Sequence, residues 1–457
     1  MTNKKDFHSF QEYIDYKAKG GKFQDYFIRF VDMEDADAIR IIKDIPEENN
    51  VSFFFNDSIK DIKIKDRASY IASKIDSEEV RNNIFLAHNV QLSMILKDRV
   101  YYQLSHICQV DQFIDNYAKD IKKRNLSPFE KVMAAYTTVV KSFEYKEGPE
   151  ECDARNIYGM FAEDSAVCVG YVDFFNELLE VTGIESTPKW VSVKKEGREN
   201  GSHYQSVVRI DDDKYDIHGT YVFDPTQDSL IYFDLNKAMK SEERSLSPTS
   251  MFLGFFALTA TQVNSYLNAG LYENNGFKEI SDNQLLDAMY VINSNIIGNG
   301  YTEDDFIKSS YNTLLIRNKY VNHRDIKDIS QDEKEKLKLF VKQKANELFA
   351  KEINMSGNRN EVTAISRDMT SAGIISPLYS LSKKEIIQDD LGIMLNDGEN
   401  VETSGSIYNL TKDEVIQDDL SMMLNDNKKS VNSDSAYILT RDDIIQDDLS
   451  RSSKKSS

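Results

Sequence analysis

The chain has 457 residues, 40% of them hydrophobic, enough for one large domain or two to three smaller ones, each with its own core. Its formal net charge is −20, from 76 acidic against 56 basic residues, and no Lys/Arg-rich block interrupts that field. Nucleic acid and anionic membranes are therefore not expected partners; the acidity serves solubility or a basic partner.

Three cysteines, Cys108, Cys152 and Cys168, form no CxxC pair. That count argues against a disulfide framework and a zinc cluster, and it suits a reducing compartment. No apolar stretch follows Lys4-Lys5, so a standard signal peptide is not expected. The closest approach to a membrane span, Met251 to Ala260, falls short of the roughly 18 apolar residues one needs. The expectation is a cytoplasmic protein, or one exported by a route without an N-terminal signal.

In chain order, residues 1–125 read as a mostly helical N-terminal region with short strands. Val51 to Phe55 is a strand candidate ended by Asn56-Asp57. From Ser77 to Lys122, Ile84, Phe85, His88, Leu92, Ile95 and Leu96 fall at helical spacing with no proline. Ser127-Pro128-Phe129-Glu130 has the form of a helix start: serine at N-cap, proline at N1 and glutamate at N3. That helix is predicted to run to about Phe143. A second is predicted over 168–182, burying Tyr171, Phe174, Phe175, Leu178 and Leu179 and ending on Gly183 as its C′ residue.

Three strands are then predicted, over Lys189–Val193, His203–Ile210 and Lys214–Phe223, with turns at Glu196 to Gly201 and at Asp211-Asp212-Asp213. From about 230 to 355 the pattern is helical, Asp332 to Asn354 being a charged amphipathic helix. Beyond that, residues 356–457 shift to Ser, Asn, Gly, Asp and Lys, the composition of a segment that does not order itself.

This acidic tail carries a repeat. Leu381 to Leu391 recurs as Leu410 to Leu420 and Leu439 to Leu449, with Gln388, Gln417 and Gln446 in a 29-residue period. Each copy has Ser or Thr at N-cap (Ser382, Thr411, Thr440), an acid at N3 (Glu385, Glu414, Asp443) and a leucine–aliphatic staple. Helices this short do not persist alone, which suits docking onto a protein partner, although duplicated filler would look the same. The glutamines themselves are also candidates for crosslinking substrates.

The chemistry concentrates in 166–228. Cys168 opens a helix, where free N–H groups and the dipole favour a thiolate and can hold an oxyanion. His203 opens a strand and Asp224 follows on the next. With the turn set at Asp211–Lys214, His203 faces Val222 and Asp224 lies one diagonal step away on the same face. Taken singly, each residue has a plain explanation: an inert core cysteine, a strand-end histidine, an Asp-Pro turn. In this order and spacing they form a Cys-His-Asp nucleophilic site, with cysteine as nucleophile, histidine moving the proton and aspartate orienting it. His218 is a rival base, but Ile217-His218-Gly219 fits no catalytic run.

Val167-Cys168-Val169-Gly170-Tyr171, His203-Tyr204-Gln205 and Asp224-Pro225-Thr226 resemble the three motifs of the transglutaminase-like superfamily, which shares the logic of papain-like proteases. Asn156 to Gly159 resembles its lead-in and Ser127 to Lys146 its preceding helix. The resemblance covers about 125–260. It implies an α+β catalytic core over 126–260, with Cys168 as nucleophile, His203 as base and acid, and Asp224 as orienting carboxylate. A helical extension over 261–355 would follow. Ala166 stands where the family often has glycine, Tyr204-Gln205 replaces a small–aromatic pair, and Gln227 replaces a common tryptophan. A papain-type oxyanion glutamine would fall on Ala162. No cofactor or metal is implied, and Asp211-Asp212-Asp213 lacks the later ligands of a calcium loop.

The expected function is acyl transfer on peptide or glutamine-type amide bonds through a thioester. Protease, deamidase and transglutaminase share the triad; hydrolysis of a protein or peptide substrate is narrowly favoured. The alternative is a non-enzymatic scaffold on the same fold that recruits a partner through the tail repeats.

Overall fold

The computed structural model describes residues 3–56, 63–91, 97–146, 155–193, 201–240, 251–266, 272–273, 278–293, 302–321 and 329–356. Cys152 and the three tail repeats, with Gln388, Gln417 and Gln446, lie outside the described residues. The fold is α+β, and the chain divides into two units: residues 1–116 with 150–163, and residues 117–149 with 164 onward.

The first unit alternates strand and helix: β1 (Asn3–Phe7), α1 (Phe10–Ala18), β2 (Tyr26–Phe30), α2 (Asp35–Asp44), β3 (Val51–Phe55), α3 (Ile64–Ala72), α4 (Glu78–Asn82) and β4 (Ile84–Gln91). Then come β5 (Lys97–Gln103) and α5 (Leu104–Arg124), within which the division falls. One sheet in the order β1-β2-β3-β4-β5 results, parallel from β1 to β4 with β5 antiparallel.

The helical spacing expected from Ser77 to Lys122 is corrected here. That stretch holds the short α4 and then two strands, β4 and β5, before its long helix α5 begins. β4 lies inside the sheet, so Ile84, Phe85, Leu86 and Ala87 are all buried, odd and even positions alike. A strand covered on both faces loses its alternation and mimics a buried helix. Behind β3, Arg67 grips Asp35 through Nε (3.0 Å to Oδ2) and Nη2 (2.7 Å to Oδ1), and donates Nη1 to the Asn56 carbonyl at 3.1 Å.

The second unit starts at α6 (Pro128–Ser142), where Ser127 and Glu130 form the predicted capping box. β6 (Glu144–Tyr145) follows. The chain then returns to the first unit as α7 (Ile157–Glu163). There His106 Nε2 lies 2.9 Å from the Tyr158 carbonyl, the Tyr158 hydroxyl donates to Asp111, and Phe161 meets Phe113. β7 (Ser165–Ala166) pairs parallel with β6 and leads directly into α8 (Cys168–Val181).

A Schellman motif ends α8: Gly183, at φ +77°, donates to the Glu180 carbonyl and Ile184 to that of Leu179. β8 (Ser186–Val193), β9 (Gly201–Asp212) and β10 (Ile217–Phe223) form an antiparallel sheet in the order β10-β9-β8. Helices α9 (Pro225–Lys240), α10 (Ala260–Tyr266), α11 (Asp282–Ile292), α12 (Glu303–Val321) and α13 (Gln331–Ser356) complete the unit.

The β9–β10 turn is Asp213–Asp216, not the expected Asp211–Lys214, because Ile217 pairs with Asp212. Buried carboxylates fix it. Asp212 accepts the Phe129 N–H at 2.7 Å and the Lys214 N–H at 2.9 Å, and Glu130 accepts the Tyr215 hydroxyl at 2.6 Å.

Residues 251–260, the longest apolar run, form a buried and mostly irregular segment. Buried backbone needs partners. Asp228 accepts the N–H groups of Gly254 (3.0 Å) and Phe255 (2.9 Å), and Arg317 donates to the carbonyls of Leu253 (3.3 Å) and Phe256 (2.6 Å). Among the described residues, no helix is long and apolar enough to cross a membrane.

Candidate active site

His203 and Asp224 are brought together: Nε2 lies 2.8 Å from Oδ2, with both side chains at most 5% exposed. Asp224 is not on β10, as expected, but one residue beyond it, ahead of Pro225 at the first position of α9. The β9–β10 ladder ends at Phe223↔Ser206. Its next step sets Asp224 level with Gln205 and leaves His203 one same-face position further along β9. The assumed register was displaced by an even number of residues, so the diagonal relation survives the correction.

Asp224 has further partners. Gln205, fully buried, donates Nε2 to the same Oδ2 at 2.9 Å. The Tyr136 hydroxyl, which donates to Asp228 Oδ2 at 2.7 Å, lies 3.0 Å from the Asp224 carbonyl, and the Asp224 N–H donates to the Phe255 carbonyl at 3.1 Å. The Tyr272 hydroxyl in turn donates to Gln205 Oε1 at 2.7 Å. Sequence patterns mark Gln205 only as a departure from the motif, and nothing local marks Tyr272, which is 67 residues downstream of it.

Cys168 is the first residue of α8 and is 1% exposed. Among the described residues, α1, α4, α6, α11 and α13 are each preceded by a serine (Ser9, Ser77, Ser127, Ser281, Ser330) whose side chain accepts an N–H three residues on. At α8 the N-cap is Val167, which makes no side-chain cap bond. The first intrahelical bond runs from Tyr171 N–H to the Val167 carbonyl at 3.1 Å, which leaves the earlier N–H groups without intrahelical acceptors.

Tyr171 anchors this end. Its hydroxyl donates to the Phe143 carbonyl at 2.7 Å and lies 2.8 Å from Ser229 Oγ. Only four residues separate α8 from β8, so the two run antiparallel, and α8 packs on β8 and β9. A helix of 14 residues is about 21 Å long. At about 3.3 Å per strand residue, its start lies level with the far end of β8, where Val191 pairs with His203 and Ser192 with Ser202.

His218 sits at the other end of the hairpin, exposed, with Nδ1 2.5 Å from Asp211. That bond raises its pKa, and the charges of Asp211, Asp213 and Asp216 add to it. Asp228, one turn after Asp224, is fully buried and pushed up to about 7, chiefly by desolvation. Among the described residues, no cluster of His, Cys, Asp and Glu is placed to hold a metal ion.

No protein-family model matches the chain, and no curated protein matches it.

Proposed function

We propose that the protein is a cysteine-dependent acyl-transfer enzyme of transglutaminase-like type, acting on peptide or glutamine-type amide bonds, with Cys168, His203 and Asp224 as its catalytic groups. The observation that carries this is the buried bond from His203, on the strand β9 against which α8, opened by Cys168, is packed, to Asp224 just beyond β10. With Nε2 committed to Asp224, Nδ1 is the nitrogen that takes the thiol proton.

The thiolate adds to the amide carbonyl, and the resulting oxyanion is stabilised by the N–H groups and dipole at the start of α8. The C–N bond then breaks as the imidazolium protonates the leaving amine or ammonia, leaving a thioester. Water, deprotonated by His203, attacks that thioester, releasing the acid and restoring the thiol. Hydrolysis is the preferred outcome; a lysine amine in place of water gives crosslinking. The chemistry belongs in a reducing compartment, where the thiol stays available.

The test is the pH dependence of iodoacetamide alkylation at each cysteine. Burial, and then Asp111, raise the pKa of Cys108, which makes it an internal control that reacts only at alkaline pH. Cys168 is expected to react well below pH 7 and to lose that limb in His203→Ala. An ordinary thiol titration at Cys168, or no reaction while folded, would overturn the assignment.

A further inference from the structure

Gln205 shares with His203 one carboxylate oxygen of Asp224, and Tyr272 holds Gln205 from behind. Asp224 Oδ2 accepts Nε2 of His203 at 2.8 Å and Nε2 of Gln205 at 2.9 Å, and Gln205 Oε1 accepts the Tyr272 hydroxyl at 2.7 Å. The directions of these bonds are mutually consistent. An ionised carboxylate only accepts, so it fixes which end of the Gln205 amide faces it, and that in turn makes Tyr272 the donor at the far end.

The phenol cannot easily lose its role. Burial, and then the charge of Asp224, raise its pKa, so the O–H is retained. Tyr272 is itself pinned twice. Asn264 of α10 pairs with its backbone in both directions, donating to the carbonyl at 2.7 Å and accepting the N–H at 2.9 Å. Lys189 of β8, cross-strand from Gln205, places Nζ 3.8 Å from the ring centroid.

We propose that Gln205 and Tyr272 are positioning residues for the cysteine chemistry: a Tyr272–Gln205–Asp224 relay that keeps the carboxylate ionised and aimed at His203 Nε2. It holds the imidazole in the tautomer whose Nδ1 faces the reaction. Two N–H donors on one carboxylate favour its charged form, and that charge favours the imidazolium of the Cys–His pair. The relay rests on the Cys168–His203–Asp224 assignment, so the experiment separates the two.

Cys168 alkylation by iodoacetamide is followed from pH 4.5 to 9 in the full chain, in wild type, His203→Ala, Gln205→Leu and Tyr272→Phe, with thermal midpoints alongside. Gln205→Leu removes one charge-assisted bond. It is expected to move the acid limb up by about one pH unit, roughly a tenfold loss of rate on that limb. Tyr272→Phe keeps the ring and is expected to move the limb in the same direction by less; if Gln205→Leu does not fold, Tyr272→Phe carries the test. Folded variants with an unshifted limb, beside a wild type that has one, would refute the relay and leave the triad standing. A wild type without an acid limb, matching His203→Ala, would refute both.

Discussion

At the scale of single residues, two aspartates one helical turn apart have been given opposite environments. Asp224 faces His203 and Gln205. Asp228 faces two backbone N–H groups and the Tyr136 hydroxyl, at 2.7 Å, and burial lifts it from 3.8 to about 7. A carboxyl whose folded value lies above its unfolded one favours folding when protonated. Its contribution is complete below pH 3.8 and is lost as the pH rises to about 7. Asp228→Asn cannot titrate and turns an N–H2 toward a donor, costing about 1–3 kcal/mol. Urea denaturation of both proteins is expected to show a stability gap that is widest near pH 4 and narrows toward pH 8. A gap that widens with pH would mean that the three donors outweigh burial and hold Asp228 ionised. The meeting of His203 with Asp224 was legible in the chain, because a histidine and an aspartate on successive strands come within diagonal reach. Gln205 and Tyr272 were not, since their roles exist only where β9, the β10–α9 junction and residue 272 converge.

Among elements, caps and turns follow local rules closely. The capping box at Ser127 and the Gly183 terminus of α8 appear where the sequence puts them, because each depends on a few adjacent residues. Pairing depends on what lies opposite. The β9–β10 turn was displaced because Asp212 and Glu130 bind partners on either side of the hairpin, which local patterning does not contain. The 251–260 segment shows the same limit: its hydrophobicity was plain, but its irregular backbone is stable only with Asp228 and Arg317 in place. A Cβ on Gly254 would come 2.2 Å from Ile316 Cγ2 of α12. Gly254→Ala is therefore expected to destabilise by about 1–3 kcal/mol through overpacking. In an Ile316→Ala background the same change should cost distinctly less, as a double-mutant cycle of unfolding free energies would show. Additive costs would place the strain elsewhere.

For the whole molecule, the two units have separate cores, one around the β1–β5 sheet and one around the β8–β10 sheet. Phe53 is 4% exposed in the first core. Phe53→Ala is expected to cost about 3–5 kcal/mol there. Calorimetry should show one of two transitions moving, with the Cys168 alkylation profile unchanged; a single transition moving as a whole would show the units to be thermally inseparable. The mixed α+β character was legible from composition and periodicity. The division was not, since residues 150–163 lie between α6 and α8 in sequence yet belong with α5 and β5. That excursion has a consequence for synthesis. A growing chain emerges N-terminus first, and the first unit lacks α7, with the Tyr158 and Phe161 that meet His106, Asp111 and Phe113, until residue 163 has left the ribosome. By then α6 has already been made and waits for partners that lie further downstream. The residues that complete the first unit are followed, five positions later, by Cys168 at the start of α8, so the helix that packs on β8 and β9 begins to emerge just as the first unit can close.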